Sequence, residues 1–180
     1  MNKFALGLAL AWVVVSVGTV SAGTFRETED IVISPDFCSL YPLTVSDALL
    51  ASATPGQSFQ NIPLGTGPGH YNWLTWQGDN DAPVLADALV PPGTSRTYIH
   101  PANPSDRQLN IGDLVEGAPG VKNSREIRDN LDALLGYNII IPVWGDHVSQ
   151  GANLNYGVAQ FAVVRLSDYR LNGQGYVSFT

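Results

Sequence analysis

The side chains of this sequence that are best suited to binding a ligand are four aromatic residues. Tyr71, Trp73 and Trp76 lie in one short run, and Trp144 follows an apolar segment further along the chain. Large aromatic rings can stack on sugar rings or peptide groups and supply much of the contact area in such sites. The same rings are also common in protein cores. The sequence therefore leaves two interpretations open, an aromatic binding face and a set of core residues.

Cys38 is the single cysteine of the sequence. A thiol can act as a nucleophile when a base such as a histidine lies beside it. One cysteine cannot form a disulfide within the chain, so the protein is not a disulfide-stabilised scaffold. We expect an unpaired, non-catalytic thiol, which is either buried or paired with a cysteine outside this sequence.

The other chemistry-bearing residues match no local catalytic or metal motif. His70, His100 and His147 are far apart in the sequence, unlike the paired histidines of a zinc-binding helix. The 79–81 segment, Asp-Asn-Asp, has oxygen ligands that calcium prefers, but the rest of an EF-hand loop is missing. We expect it to begin a helix. The sequence predicts no catalytic residue, no cofactor and no metal site.

The charge balance argues against a nucleic-acid partner. The sequence has 16 aspartates and glutamates against 9 lysines and arginines, a formal net charge of −7 at pH 7. Such a surface repels phosphate backbones and anionic lipid headgroups. We attribute the excess of acid to a solvated exterior and expect other envelope or surface proteins as partners.

The first 22 residues have the three parts of a secretory signal peptide. Lys3 gives a positive beginning, 4–15 is almost wholly apolar, and Val20-Ser21-Ala22 offers the small residues that a signal peptidase needs. The apolar run of about a dozen residues is shorter than the ~20 that span a bilayer. We expect cleavage after Ala22 and export to the periplasm, the cell surface or the medium, with no retained membrane span.

The mature chain then divides simply. A polar lead-in segment occupies 23–36, and 37–180 has the length of a single globular domain. A helix is predicted after the 79–81 segment, with Pro83 in its first turn and an apolar stripe that ends before Pro91. Ser46 is expected to cap a separate single helical turn.

A second helix is better specified. Asn123 and Glu126 have the spacing of a capping box, and Gly136 supplies a left-handed stop. Two i,i+4 ion pairs are expected on its outer face, Arg125 with Asp129 and Arg128 with Asp132. The apolar positions expected to face the core are Ile127, Leu131, Leu134 and Leu135.

Short strands make up most of the remaining pattern. We expect strands at 40–45, 70–76, 97–100, 137–144, 155–166 and 175–179, with a glycine-rich turn at 65–69 and a polar connection at 146–153. The 155–166 strand is apolar on both faces, which predicts a central strand. Because strands and helices do not alternate, the predicted fold is α+β and mainly β, a sheet or partial barrel with two short helices packed on it.

Several runs in this order resemble one known module. They are Gly-Pro-Gly-His-Tyr-Asn-Trp-Leu at 67–74, the glycine-rich run at 111–121 with the helix at 123–136, Ile-Pro-Val-Trp at 141–144, and 156–165. Together they resemble the extracellular C-terminal module of bacterial TadE/TadG-like (Flp/Tad) pilus-assembly proteins and related exported proteins.

The resemblance covers nearly all of the mature chain and implies no catalytic residue. It implies a cell-envelope or secreted role in pilus assembly, surface structure or adhesion. Related modules often carry a second cysteine just beyond the position of Thr180. The resemblance therefore implies a domain truncated at its C-terminus, with a partner for Cys38 outside this sequence.

The predicted function is that of an exported, non-enzymatic envelope or surface module for protein–protein assembly or adhesion. The alternative is a small secreted hydrolase or carbohydrate-binding domain that acts on the envelope. A deep cleft crowded with histidine, aspartate and serine or cysteine would favour the enzyme, and an exposed apolar or aromatic patch would favour assembly.

Overall fold

The structure is a computed structural model, and it describes residues 40–120, 122–150 and 153–180. The predicted signal peptide, the lead-in segment and Cys38 lie outside the described residues. Within them, no helix has both the length and the apolar character needed to cross a membrane.

The described residues form short helices between strands of very unequal length. In chain order the elements are β1 (Leu43–Ser46), α1 (Asp47–Leu50), β2 (Phe59–Pro63), β3 (Tyr71–Thr75), α2 (Ala82–Leu89), β4 (Leu114–Gly117), α3 (Arg125–Leu134), β5 (Asn138–Gln150), β6 (Asn153–Arg170) and β7 (Tyr176–Phe179).

The strands form one mixed sheet in the order β2-β7-β6-β4-β3-β1-β5, and β5 also pairs with β6. The pairings of β6, β4, β3, β1 and β5 therefore close into a circuit, from which β7 and β2 extend. β1 and β5 are parallel, and the other pairs are antiparallel. The predicted fold class, mainly β with short helices packed on a sheet, is confirmed.

The β5–β6 ladder is longer than the sequence predicts. It runs from Asn138 opposite Arg165 to Gln150 opposite Asn153, with register shifts around Trp144. The predicted hairpin connection is confirmed, since β5 and β6 are consecutive antiparallel strands, but its bounds of 146–153 are wrong because 146–150 belongs to β5 and Asn153 to β6. Polar residues can occupy a strand when their side chains face solvent, and His147 does so while its backbone pairs with Tyr156.

Other strand predictions have mixed outcomes. The strands predicted at 70–76 and 175–179 correspond to β3 and β7, whereas 97–100 is not a strand: it follows a turn in which the Tyr98 N–H donates to the Ser95 carbonyl, and His100 forms only an isolated bridge with Asn103. β2 was not predicted, because its sequence lacks regular apolar alternation. β6 has paired strands along both edges, as expected of a central strand, but Val163 on it is 67% exposed.

Helix α3 begins one residue later than the capping pattern predicts. The cap is Ser124, whose Oγ accepts from the Ile127 N–H at 3.2 Å, while the Asn123 side chain contacts Asn172 and Arg128. Asn and Ser are comparable caps, so a sequence that offers both in succession does not decide between them.

The side chains of α3 also correct two predictions. The Arg125–Asp129 pair is present at 3.5 Å, but the Asp132 carboxylate accepts from the Tyr169 hydroxyl instead of pairing with Arg128. Ile127, Leu131 and Leu134 are buried, whereas Leu135 is 38% exposed. Leu135 falls outside the core because the helix ends at Leu134 and the next residue turns away with ψ of 126°.

Buried apolar side chains form two clusters, one on each face of β3. Tyr71 and Trp73 lie in the cluster that also receives α2 and α3, and Leu74 and Trp76 lie in the other. The two helices contact each other, and the Asn130 side-chain amide of α3 donates to the Ala86 carbonyl of α2 at 2.8 Å. β3 is therefore covered on both sides, and the outer surfaces of α2 and α3 remain available to solvent.

A matched pair of leucine substitutions tests the end of α3. Leu131 is 3% exposed and Leu135 is 38% exposed. We expect Leu131→Ala to lower the free energy of unfolding by about 2–5 kcal/mol, because it empties a packed site, and Leu135→Ala to lower it by under about 1 kcal/mol. Chemical denaturation measures both. Equal losses would contradict the position of the helix end.

Candidate functional site

The aromatic residues singled out from the sequence do not form a common exposed face. Tyr71, Trp73, Trp76 and Trp144 are 1%, 1%, 2% and 7% exposed. Tyr71 and Trp73 pack edge to face with their ring centres 5.5 Å apart, while Trp76 and Trp144 belong to the cluster on the other side of β3. These side chains lie in the core, which is the other of the two interpretations that the sequence left open. They offer no stacking platform for a sugar.

The glycine-rich turn at 65–69 encloses the ring of His70. A Cβ added at Gly65 would lie 2.6 Å from the His70 Cδ2, and one at Gly67 would lie 2.7 Å from its Nδ1. Glycine is therefore needed at both positions for the chain to pass this close to the imidazole. The turn acts as packing around a histidine, and Ser46 fastens it by donating to the Pro68 carbonyl at 2.8 Å.

The other histidines are used elsewhere in the fold. His100 Nδ1 accepts from the Ala102 N–H at 3.1 Å, while its Nε2 lies 3.4 Å from the Leu114 nitrogen, so the ring lies between a loop and the start of β4. His147 packs its ring against Trp144 at 5.3 Å between ring centres. Each histidine thus has a separate packing or hydrogen-bonding role.

Two of the features predicted from the sequence do meet, at a cleft of about 180 Å³ beside the beginning of α2. Trp76, which follows β3, forms part of its wall, and the 79–81 segment forms another part. Other parts of the wall come from α2 and from the loop at 94–97. The α2 side chains that line the cleft are Val84, Leu85, Asp87 and Ala88.

The 79–81 segment begins α2 as predicted, but its carboxylates do not cap the helix. Asp81 occupies the cap position without a side-chain cap bond, and Asp79 Oδ1 accepts from the Asp81 N–H at 3.1 Å. The Thr75 hydroxyl holds the segment by donating to the Asp79 carbonyl at 2.7 Å. Among the described residues, no group of three histidine, cysteine or acidic side chains is placed to hold a metal ion.

A second cleft of about 390 Å³ lies between α2 and α3. Asp87 lines both clefts, and α3 with its cap contributes Ser124, Glu126, Asp129 and Asn130 to the second. The two clefts lie on opposite flanks of α2, because Val84 and Ala88 form one stripe of the helix and Ala86 and Val90 form another. Hydrogen bonds from its own backbone N–H and from Ser124 lower the pKa of Glu126, which keeps this exposed carboxylate charged.

A lysine beside the first cleft holds the 79–81 segment in place, because the Lys122 Nζ donates to the Asn80 backbone carbonyl. Burial raises the pKa of Glu116 of β4 and outweighs the lowering effect of the nearby Asn80 side chain. Two buried oxygens in this region, Glu116 Oε1 and Asn80 Oδ1, have no hydrogen-bond partner among the described residues.

The sequence indicated only part of these two clefts. It singled out Trp76 and the 79–81 segment of the first cleft, but it indicated nothing special about Asp87, Glu126 and Asp129 of the second. Their positions on the polar faces of two amphipathic helices predict that they are exposed and do not predict that they lie close together. The packing of α2 against α3 brings these three carboxylates to the second cleft.

The comparisons with known proteins supply no identification. No family model, no curated protein and no solved structure matches this chain. The resemblance to the TadE/TadG-like module therefore stays a prediction, carried by the motifs of the sequence.

Substituting Glu116 tests its buried carboxyl. Because burial raises its pKa, the folded protein binds this proton more tightly than the unfolded chain, so the stabilisation is present at low pH and is lost as the pH rises through the folded pKa. We expect the free energy of unfolding of Glu116→Gln, minus that of the unchanged protein, to rise from about pH 4.5 toward neutrality.

Glu126→Gln is the matched control. Its carboxyl has a lowered pKa, so its stabilisation is present above the unfolded pKa and is lost as the pH falls. The same difference should then fall toward neutrality. Urea denaturation across a pH series measures both variants. A flat or falling difference for Glu116→Gln would show that this carboxyl is not desolvated.

Proposed function

We propose that this chain is an exported, non-enzymatic module of the cell envelope or cell surface, which acts by assembling with other envelope or surface proteins or by adhesion. The observation that carries the proposal is the cleft between α2 and α3. It combines apolar side chains of α2, such as Ala86 and Val90, with the exposed carboxylates of Asp87, Glu126 and Asp129. An apolar base with a polar rim is the usual composition of a protein contact surface.

The use of the histidines supports a binding module over a hydrolase. A serine or cysteine nucleophile needs a base within hydrogen-bond reach of it. His70 is enclosed by its glycine turn, His100 accepts from the Ala102 N–H, and His147 packs on aromatic rings. The burial of the aromatic side chains likewise weakens the alternative of a carbohydrate-binding domain.

The setting is proposed from the sequence. The leader at 1–22 has the features of an export signal, and the motifs between 67 and 165 resemble an extracellular pilus-assembly module. A pilus-associated role is the most specific form of the proposal, and assembly with any other envelope protein is its general form.

The export step has a direct test. We expect the exported protein to begin near Gly23, because Val20-Ser21-Ala22 offers small residues at the cleavage site. N-terminal sequencing and intact mass of the exported material measure this. Ala22→Trp places a large residue at the site and should make the uncleaved precursor accumulate. Exported protein that retains Met1 would contradict the proposed compartment.

The assembly step is tested by cross-linked pull-down of the mature protein from its own envelope fraction. We expect a surface or envelope protein in reproducible, saturable excess over the control bait, an unrelated domain of similar size and net charge. The control removes partners that bind any acidic protein. The absence of any such partner, or hydrolysis of an envelope component by the purified chain, would contradict the proposal.

A further inference from the structure

We infer that one edge of β6, at residues 159–164, is a strand-addition site, and that its occupant is a short, uncharged, extended segment of a partner protein that pairs antiparallel to β6. We call these six residues the open edge of β6. The inference rests on the proposed assembly function and names a contact surface separate from the cleft between α2 and α3.

The open edge lies between two sets of residues that pair with the same side of β6. β4 and the turn before it pair as far as Val158, whose N–H donates to the Asp113 carbonyl at 2.9 Å. β7 and the residue after it pair as far as Arg165, which exchanges two backbone hydrogen bonds with Thr180 at 2.8 and 3.1 Å. Within the described part of the chain, no backbone group pairs with this side of β6 between those limits. A strand rises about 3.3 Å per residue, so the space takes a segment of roughly five residues.

The partners of β5 show which backbone groups face the open edge. The Ile140 carbonyl accepts from a backbone N–H at 2.9 Å, and the Pro142 carbonyl accepts from the Thr44 hydroxyl at 2.9 Å. Both carbonyls therefore point away from β6, where the opposite residues are Val163 and Phe161. In an antiparallel pair, opposite residues that do not bond to each other direct their N–H and carbonyl groups outward. Phe161 and Val163 thus present two donors and two acceptors to the open edge.

The bonds of Arg165 support this alternation and set the direction of the occupant. Arg165 lies two residues beyond Val163, and both of its backbone groups bond to Thr180 across the same edge. A segment that runs in the direction of β7 would meet Val163 and Phe161 in the register that the β6–β7 pairing already has. Continuity with that pairing argues for an antiparallel occupant that exchanges two hydrogen bonds with each of these residues.

The side chains of the open edge select an uncharged occupant. Their sequence is Ala-Gln-Phe-Ala-Val-Val. Val163 is 67% exposed, Phe161 is half-buried, and the two share one face of the strand. Apolar side chains opposite them would cover that face, whereas a charged side chain would lose hydration there without gaining a partner. The occupant therefore carries apolar residues at alternate positions.

The outer edge of the sheet at β2 differs from the open edge in its protection. β2 ends at Pro63, which has no N–H, its register shifts between Phe59 and Ile62, and Asn61 has a left-handed φ of 53°. Proline, irregular register and charge are the usual protection of exposed edges. The open edge of β6 contains no proline and no charged residue, and its extra residue, Ala159, lies at one end. It is therefore suited to pairing, whereas β2 is not.

The length of β6 argues against a second copy of this chain as the occupant. β6 has 18 residues, three times as many as the open edge. Two open edges paired about a two-fold axis would centre on Ala162, and the copy's β6 would continue into the space beside Leu166 that β7 occupies. A short extended segment of another protein ends before it reaches β7.

Hydrogen exchange of the mature protein tests the open edge without a ligand. We expect the amide protons of Phe161 and Val163 to exchange at least about tenfold faster than those of Ala162, Val164 and Arg165, which are held by β5 or by the end of β7. Nuclear magnetic resonance measures each amide separately. Equal protection of all five would show that the edge is already covered, by the same chain or, if protection grows with protein concentration, by a second copy. Either result overturns the inference.

The binding test uses a defined strand. The probe is an acetylated and amidated peptide of five residues, in which threonine alternates with two valines. The matched peptide is methylated on both valine nitrogens, so it keeps the side chains and loses the donors that face the Phe161 and Val163 carbonyls. We expect the probe to slow exchange of the Phe161 and Val163 amides, and the methylated peptide to bind at least about tenfold more weakly. Equal binding of both peptides, or of neither, would overturn strand addition.

A matched pair of lysine substitutions locates the contact. Val163→Lys places a charge on the open edge, and Val148→Lys places the same charge on β5, at a valine that is 45% exposed. We expect Val163→Lys to weaken probe binding about fivefold and Val148→Lys to change it less than about twofold. Circular dichroism should show both variants folded, because both side chains are exposed. Equal effects of the two variants, or no effect of Val163→Lys, would remove the open edge from the contact.

The envelope pull-down tells the failure of this inference from the failure of the assembly function. Loss of the partner by Val163→Lys, with the partner retained by Val148→Lys, supports the open edge as the contact surface. If Val163→Lys retains the partner, the assembly function stands and the inferred surface is wrong. If the unchanged protein has no partner, the assembly function itself fails.

Discussion

The rest of the structure depends on the pairing of β5 with β6. β6 pairs with β5 along one edge and with both β4 and β7 along the other. The closed circuit of five strands and the β7–β2 extension therefore meet at β6. Each backbone N–H and carbonyl of a buried strand needs a partner, and the long ladder from Asn138 to Gln150 supplies these bonds. The other edge of β5 pairs in parallel with β1 at Val143 and Trp144, beside the register shifts of the β5–β6 ladder.

Because the circuit of strands is closed, the aromatic side chains of β3 lie in the core. Once β3 is covered on both faces, Tyr71 and Trp73 on one side and Trp76 on the other serve packing, and the outer surfaces of α2 and α3 are among those that remain exposed. The buried hydrogen bond from the Asn72 amide to the Tyr156 hydroxyl at 2.5 Å ties β3 to β6 within the same interior. The proposed function is therefore located on the helices that cover the sheet, and the sheet itself acts as their support.

Much of the local structure could be predicted from the sequence. The apolar face of α3, the aromatic strand β3, the last strand β7 and the position of Pro83 in the first turn of α2 all follow from spacing and from the backbone limits of particular residues. Some errors of detail arise where neighbouring residues have similar preferences for one position, such as Asn123 and Ser124 for the cap of α3. Of the candidate site, the sequence indicated Trp76 and the 79–81 segment, but it did not show that they meet.

What the sequence by itself determined is α2, α3, β3 and β7 with most of the buried face of α3, because these depend on neighbours within a few residues. Only the tertiary structure decided that β2 is a strand and that 146–150 continues β5, since both segments are held by pairing with another strand. Only the tertiary structure brought Asp87 of α2 beside Glu126 of α3, because the distance between two helix surfaces depends on the sheet that both pack against. The cleft between the two helices is a property of that packing, and no periodicity along the chain predicts it.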